Sequence, residues 1–363
     1  MQNRQSSERI KLASTSEIQT KQVGRSLASS LSKNEATIWL RGELGAGKTT
    51  FVQGLAEGLG IDASVTSPTY ALENRFDEKL LHLDLYRLEE DEARRVVDES
   101  EDFPGVRAVE WSERMEEAEE KKEAKEAKEE KSSASSFSLA SLASSISIHI
   151  KETSKNDREI EITFNDVSWP SRDEIVVWRK EMKLPEHIGK HCDAVAEMAK
   201  KLAEELLTRG TVCRPEAIFH AALLHDLMRF VDFKPEMHKK IPHANKADPD
   251  VQKHWESFKE KYGSQHEAAC AQFLIDEGYP ELAEIIRPHG LLSLDGKAEI
   301  ATTDQKLLFY ADKRIKYEEI VSLDERFDDF VERYEDGDES EKSRGWREKT
   351  KKMEEELFGN DIP

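Results

Sequence analysis

Residues Gly42 to Thr50 read G-E-L-G-A-G-K-T-T, a loop of the form G-x-x-x-x-G-K-[ST]. Such a loop works only where a buried strand runs into it and a helix runs out of it, so it constrains the fold more than any other feature. The flanks comply. Ala36 to Leu40 (A-T-I-W-L) reads as a short buried strand, and Thr49 to Ala56 opens an amphipathic helix ending near Gly58 and Gly60. In that setting, successive backbone N–H groups and the helix N-terminus present partial positive charge to a polyphosphate. The expected nucleotide contacts are Glu43, Gly45, Ala46, Gly47, Lys48, Thr49 and Thr50. Lys48 would reach the β- and γ-phosphates of a nucleoside triphosphate, and the Thr49 hydroxyl would ligate Mg²⁺.

The loop accounts for only part of 363 residues, a length that suggests two domains, each able to bury a core. The net charge of −21 argues against a surface that grips nucleic acid by itself, since phosphate neutralisation needs clustered Lys and Arg. Any RNA would then be carried by a partner. No apolar run approaches the roughly 18 residues of a membrane span, and M-Q-N-R-Q-S-S-E-R-I-K lacks an apolar signal core. Cys192, Cys213 and Cys270 stand far apart with no C-x-x-C pair, the pattern of reduced, buried thiols in a cytoplasmic protein.

Residues 10–115 alternate short apolar strands with helical patterns, as an α/β domain should. From Glu116 to Lys131 the chain is almost entirely Glu, Lys and Ala, the composition of a solvated helix laced by i,i+4 pairs. Ser132 to Ser145 is Ser/Ala-rich and reads as a mobile spacer. Ile146 to Ile150 and Glu159 to Phe164 both alternate with period two around a polar turn, and are expected to form a hairpin that completes the first domain. Trp169-Pro170-Ser171 marks a boundary. Helical periodicity dominates from about Asp173, and the charged tail after Glu335 is expected to fray. The expected division is 1–168, with an insert at 116–145, and 169–363.

Three further clusters surround the loop. Thr66-Ser67-Pro68-Thr69-Tyr70 follows the first helix, where a segment sensing the γ-phosphate would lie. Leu81 to Arg87 alternates strictly, so His82, Asp84 and Tyr86 would share one face of a strand, with Asp84 placed for a Mg²⁺ role. Val106 to Arg114 reads as a strand ending on Glu110-Trp111; Glu110 would orient the attacking water or touch the metal, and Trp111 would pack beside the nucleotide.

In this order, G-E-L-G-A-G-K-T-T, S-P-T-Y, H-L-D-L-Y-R and E-W-S-E-R resemble the TsaE (YjeE) family over about Leu12 to Val167. The resemblance implies a P-loop ATPase of the bacterial system that makes N6-threonylcarbamoyladenosine in tRNA, resetting a TsaB–TsaD complex by ATP hydrolysis. By match, Lys48 and Thr49 would hold phosphate and Mg²⁺, Thr69 would be the switch threonine, and Asp84 and Glu110 the acids near the metal. Arg158, in the expected hairpin turn, matches a frequent family arginine; no role is assigned to it.

In the helical half, His191 precedes an apolar face of Val195, Met198 and Leu202, and His225-Asp226 ends a second apolar helix. His266-Glu267, His289-Gly290 and Asp312 follow. Such mixed N/O ligands suit Mn²⁺, Fe, Zn²⁺ or Mg²⁺, and a metal there would polarise a phosphoryl oxygen and activate water. These residues look like the HD-domain phosphohydrolase superfamily over about Pro185 to Tyr334. The resemblance implies an all-α fold with His191, His225, Asp226 and Asp312 as metal ligands, Asp226 also catalytic, and His266 and His289 adding a second metal. His220 reads as structural, His187, His238, His243 and His254 as surface residues with lining of the pocket as the alternative, and Lys313 and Arg314 as either phosphate contacts or solvated or ion-paired.

The leading expectation is a bifunctional enzyme, an ATPase fused to a hydrolase of a nucleotide or other phosphate ester. An alternative makes the helical domain a nucleotide sensor that regulates the ATPase without turnover. A stand-alone nucleotide kinase ranks lower, because no lid or acceptor-nucleoside site is evident.

Overall fold

The computed structural model describes residues 7–31, 35–115, 145–165, 167–233 and 248–359. Of the Glu/Lys/Ala and Ser/Ala segments expected at 116–145, all but Ser145, which opens a strand rather than closing the spacer, lie outside the described residues, as do His238 and His243. Two compact units emerge, Met1–Asp166 with Leu207–Val212, and Val167–Leu206 with Cys213–Pro363.

The first unit runs β1 (Glu8–Ser14), α1 (Glu17–Ala28), β2 (Ala36–Arg41), α2 (Lys48–Gly58), β3 (Glu73–Phe76), β4 (Leu80–Asp84), α3 (Glu90–Asp98), β5 (Val106–Glu110), β6 (Ser145–Glu152) and β7 (Arg158–Phe164). Its seven strands form one sheet in the order β1-β7-β6-β2-β5-β4-β3. At the centre, β2 lies parallel to β5 and β6, and β4 parallel to β5. The expected hairpin forms, with Ile146, Ile148 and Ile150 opposite Phe164, Ile162 and Ile160. All six are buried, which fixes the register because a one-residue slip would turn each of them to the opposite face. The alternation from Leu81 to Arg87 is a strand only as far as Asp84, so Tyr86 lies beyond β4 rather than on its face. Arg158 opens β7 rather than sitting in the turn.

Helices α1 and α2 pack through glycines. A Cβ on Gly54 would sit 1.9 Å from the Lys21 carbonyl oxygen, and one on Gly24 would sit 2.2 Å from that of Phe51. The backbones therefore meet where no side chain fits, which holds α2 and the loop before it against the sheet unit.

The second unit is mostly helical: α4 (Arg172–Glu181), α5 (Glu186–Thr208), α6 (Pro215–Leu224), α7 (Pro249–Tyr262), α8 (His266–Asp276), α9 (Pro280–Ile286), α10 (Thr303–Arg314), α11 (Leu323–Tyr334) and α12 (Glu341–Phe358). A two-stranded ribbon of β8 (Ile315–Lys316) and β9 (Glu319–Ile320) departs from the all-α expectation. Reciprocal capping boxes start three of these helices: Ser171 with Glu174, Thr302 with Gln305, and Ser322 with Glu325. The tail expected to fray is a helix. Thr350, Met353 and Phe358 of α12 are buried, the Tyr310 hydroxyl donates to Glu354 at 2.5 Å, and the Tyr310 and Phe358 rings lie 5.2 Å apart. Charge dominated the composition there, but apolar residues at helical spacing decided the outcome. Among the described residues no helix is long and apolar enough to cross a membrane, and all three cysteines are free and buried.

Candidate functional site

In the sheet unit, β2 delivers the chain into Gly42, Gly45 and Gly47, whose φ values of 141°, 85° and 108° lie where glycine is favoured. A Cβ at Gly45 would meet nothing within 4 Å, so the loop opens outward there. Gly47 caps α2, and its conformation points the first helical N–H groups into the loop. Lys48 is buried, and its Nζ donates to the loop's own carbonyls, Gly42 at 2.6 Å and Glu43 at 3.1 Å. The same ammonium sits 3.5 Å from the centre of the Trp111 ring, which is held at φ 64°. Burial pushes the Lys48 pKa down, against the pull of Glu110, Glu113 and Asp84. A phosphate would offer this ammonium stronger, charged partners than two carbonyls.

Two acid clusters flank the lysine on neighbouring strands, because Asp84 on β4 pairs in register with Glu110 on β5. The Thr49 hydroxyl donates to Glu110 Oε1 at 2.9 Å, and His82 Nε2 lies 2.9 Å from the same oxygen. Asp84 Oδ2 accepts from Thr69 at 2.6 Å and Ser67 at 2.7 Å, while its Oδ1 accepts the Tyr86 N–H at 3.0 Å. The S-P-T-Y segment is thus tied to the strand acid. Arg87 stacks on Tyr70 at 4.1 Å. His82 was noted in sequence only for its strand face; its buried contact with Glu110 emerges from the parallel register. Arg158 donates from Nε to the Ala46 carbonyl at 2.7 Å and so braces the loop.

In the helical unit, helices α5, α6, α8 and α10 bring distant residues together. His191 Nε2 is 3.0 Å from Asp312 Oδ1, and His225 Nε2 is 3.7 Å from that oxygen and 3.8 Å from Asp226 Oδ2. The other Asp226 oxygen faces His266 Nε2 at 3.1 Å and His289 Nε2 at 3.6 Å. Asp226 therefore stands between two ligand groups, His191–His225–Asp226 and Asp226–His266–His289. The His225 Nε2 is fully buried without a hydrogen-bond partner, while its Nδ1 is engaged with the Ala222 carbonyl at 2.7 Å. An imidazole nitrogen oriented by its other nitrogen and left bare toward carboxylates fits a metal ligand.

The electrostatics agree. Burial would raise the Asp226 pKa, but Arg229, His225 and His266 outweigh it and hold it well below the usual carboxylate range. Asp312 behaves likewise under Lys313, His191 and His225. Burial pushes His289 toward its neutral form. Sequence reasoning missed Asp232, which lies 2.5 Å from His266 Nδ1 and orients that ring. It also missed Arg229 and Arg326. The i,i+3 spacing of Arg229 and Asp232 was the available signal, but a 3₁₀ turn carries no apolar period to mark it.

A cavity of about 570 Å³ opens over this cluster. His187 lines it, against the surface placement expected, whereas His220 fulfils its structural reading by stacking on Trp169 at 5.1 Å. Lys313 is buried and ion-paired with Asp312 at the cavity wall. Arg314 instead contacts Glu354 and the Val321 carbonyl, so a phosphate role for it is not supported.

The family model described as threonylcarbamoyl adenosine biosynthesis protein TsaE matches residues 14–139, and that of the HD domain matches residues 188–316. Curated proteins named tRNA threonylcarbamoyladenosine biosynthesis protein TsaE are similar over the N-terminal part. That of Synechocystis sp. is 47% identical over 26% of this chain and 66% of its own length. The Bacillus subtilis protein is 39% identical over 27% and 63%, and that of Streptomyces coelicolor 39% over 26% and 67%. The match thus spans slightly less than two thirds of the first of these relatives. A crystal structure of YdiB from Bacillus is 27% identical, covering 44% of this chain and 88% of that one at a TM-score of 0.32. Through its N-terminal unit the chain belongs to the TsaE family, and through its helical unit it carries an HD domain.

Proposed function

We propose that the chain joins an ATP-hydrolysing subunit of the tRNA N6-threonylcarbamoyladenosine system to a metal-dependent phosphohydrolase. For the first activity, the carrying observation is the pair of threonine–acid links, Thr49 to Glu110 and Thr69 to Asp84, on either side of Lys48. The loop N–H groups and Lys48 would hold the phosphates of ATP. Thr49, Asp84 and Glu110 would hold Mg²⁺, which when bound neutralises charge on the phosphoryl oxygens. Glu110, steadied by His82, would orient the attacking water, and Thr69 would register the γ-phosphate. Trp111 would lie against the nucleotide. TsaB- and TsaD-like proteins are the proposed partners, with tRNA reached through them. Recovery of those partners with the full chain, in an ATP-dependent manner, is the expected result; their absence would count against this assignment.

For the second activity, the bare His225 Nε2 among His191, Asp226 and Asp312 carries the reading. Those four would hold one divalent ion, Mn, Fe, Zn or Mg, and His266 and His289 with Asp226 a second. Such a metal supplies Lewis acidity and a water of lowered pKa. Asp226, ionised and shared between the two groups, would keep both ligand sets in register. Lys313 would balance the Asp312 charge beside a phosphoryl group. The His225→Ala chain should lose bound metal and at least about a hundredfold of phosphate-ester turnover, consistent with loss of metal-dependent catalysis. Unchanged metal content and turnover would sink the reading. Nucleotide binding without hydrolysis across several metals would instead support a sensor.

A further inference from the structure

One wall of the cavity over the histidine–aspartate cluster is built by α11, and nothing in the ligand set explains its chemistry. Arg326 and Arg333 of α11 both line the cavity, together with Phe327, Phe330 and Tyr334 of the same helix. Arg326 is only 8% exposed, yet its Nε has no hydrogen-bond partner. A buried guanidinium with an idle donor is costly unless something is meant to meet it.

The charge count near Arg326 leads the same way. Its one carboxylate contact is Asp329 Oδ2, at 3.4 Å from Nη1. Asp329 is shared, since Arg333 also pairs with it and Lys316 Nζ sits 3.1 Å away. Three cations therefore divide one carboxylate. By contrast, Arg229 is matched by Asp226 and Asp232, and Lys313 by Asp312. Arg326 is thus a cavity cation with one buried donor, Nε, unmet. Its guanidinium carbon lies 4.3 Å from the centre of the Phe330 ring, a cation–π contact that helps hold the side chain in the cavity wall. Arg326 and Asp312 line the same cavity, so this wall and the cluster face a common space.

We propose that Arg326 is a specificity residue that reads a second phosphoryl group, so the cavity's substrate is a nucleoside di- or polyphosphate, with its base against the Phe327–Phe330–Tyr334 wall. A lone phosphoryl group held at the cluster leaves Arg326 idle. A phosphoanhydride gives it a charged partner, and a flat apolar base suits aromatic walls better than a sugar phosphate does. The inference rests on the hydrolase reading above. The reaction consumes one water. Its oxygen bonds to the phosphorus at the cluster, and the bridging P–O bond breaks with its electron pair going to the bridging oxygen. One proton of the water ends on each phosphate product before both exchange with solvent. Arg326 faces the leaving phosphate, where charge grows.

The test uses the full chain carrying Lys48→Ala, so that P-loop turnover does not mask the helical unit. The ratio of kcat/KM for ADP to that for AMP is measured with Arg326 intact and in Arg326→Met and Arg326→Lys. Arg326→Met should lower that ratio about tenfold or more, and Arg326→Lys should restore part of it, because charge returns without the fork. Binding of methylenediphosphonate against methylphosphonate gives a readout independent of turnover, and its preference should fall in parallel. Bound metal, counted in each variant, reports that the fold is kept. Equal ratios and equal probe preferences with and without Arg326 would overturn the proposal. No turnover of any phosphate, together with Arg326-dependent diphosphonate binding, would sink the hydrolase reading and still support the role of Arg326.

Discussion

Lys48 and His225 present the same problem in two chemistries: a buried atom whose proposed partner is a ligand. Lys48 rests on two backbone carbonyls and an indole ring, whereas His225 Nε2 rests on nothing. For His225, burial favours the neutral ring, but Cys192, Asp226 and Asp312 outweigh it and hold the pKa well above the ordinary histidine value. A metal bound there would compete with that proton. A raised pKa means that the proton persists to higher pH, so metal affinity should rise as pH climbs through neutrality, with protons released on binding. Titration calorimetry in buffers of different ionisation enthalpy would detect the release; affinity independent of pH would contradict it. At this scale much of the site was legible in sequence. Glycines, lysine and threonine in fixed order mark a phosphate loop, and the scattered histidines and aspartates point to a candidate metal site only as a set, since one His-Asp pair is weak evidence. Asp232 and Arg326 were not legible, since an ordinary Asp or Arg on a helix or turn carries no signal until the fold turns it inward.

The elements explain why those atoms stay in place. The loop is suspended between β2 and α2, and α2 is locked to α1 by backbone contact at Gly54 and Gly24. Gly54→Ala would force a Cβ to 1.9 Å from the Lys21 oxygen, so the helices must separate. The expected cost is about 1–3 kcal/mol, read as a lower midpoint in denaturant together with weaker ATP binding. A variant as stable as the parent would show that α1 can shift freely. Strand periodicity revealed β6 and β7, because a sheet with one register must alternate. The same rule misled at Tyr86, where alternation continued after the strand had ended and the ring lies tilted against Trp111 at 4.7 Å. Element boundaries depend on hydrogen bonds to neighbours, and those neighbours are remote in sequence.

Across the whole molecule, two units each carry a core and a candidate site of their own. Each ligand should protect the unit that holds it, since binding only the folded form stabilises by about 2.7 kcal/mol at a hundred times Kd. Hydrogen exchange should therefore slow around α2 and β5 with Mg-ATP, and around α5, α6 and α10 with divalent metal. Uniform protection by either ligand would contradict two separate sites. The central claim is that the phosphate loop serves tRNA modification, and its most direct test is the N6-threonylcarbamoyladenosine content of tRNA in cells whose own copy carries Lys48→Ala. Loss of the modified nucleoside is the predicted result, and a normal level would contradict the account.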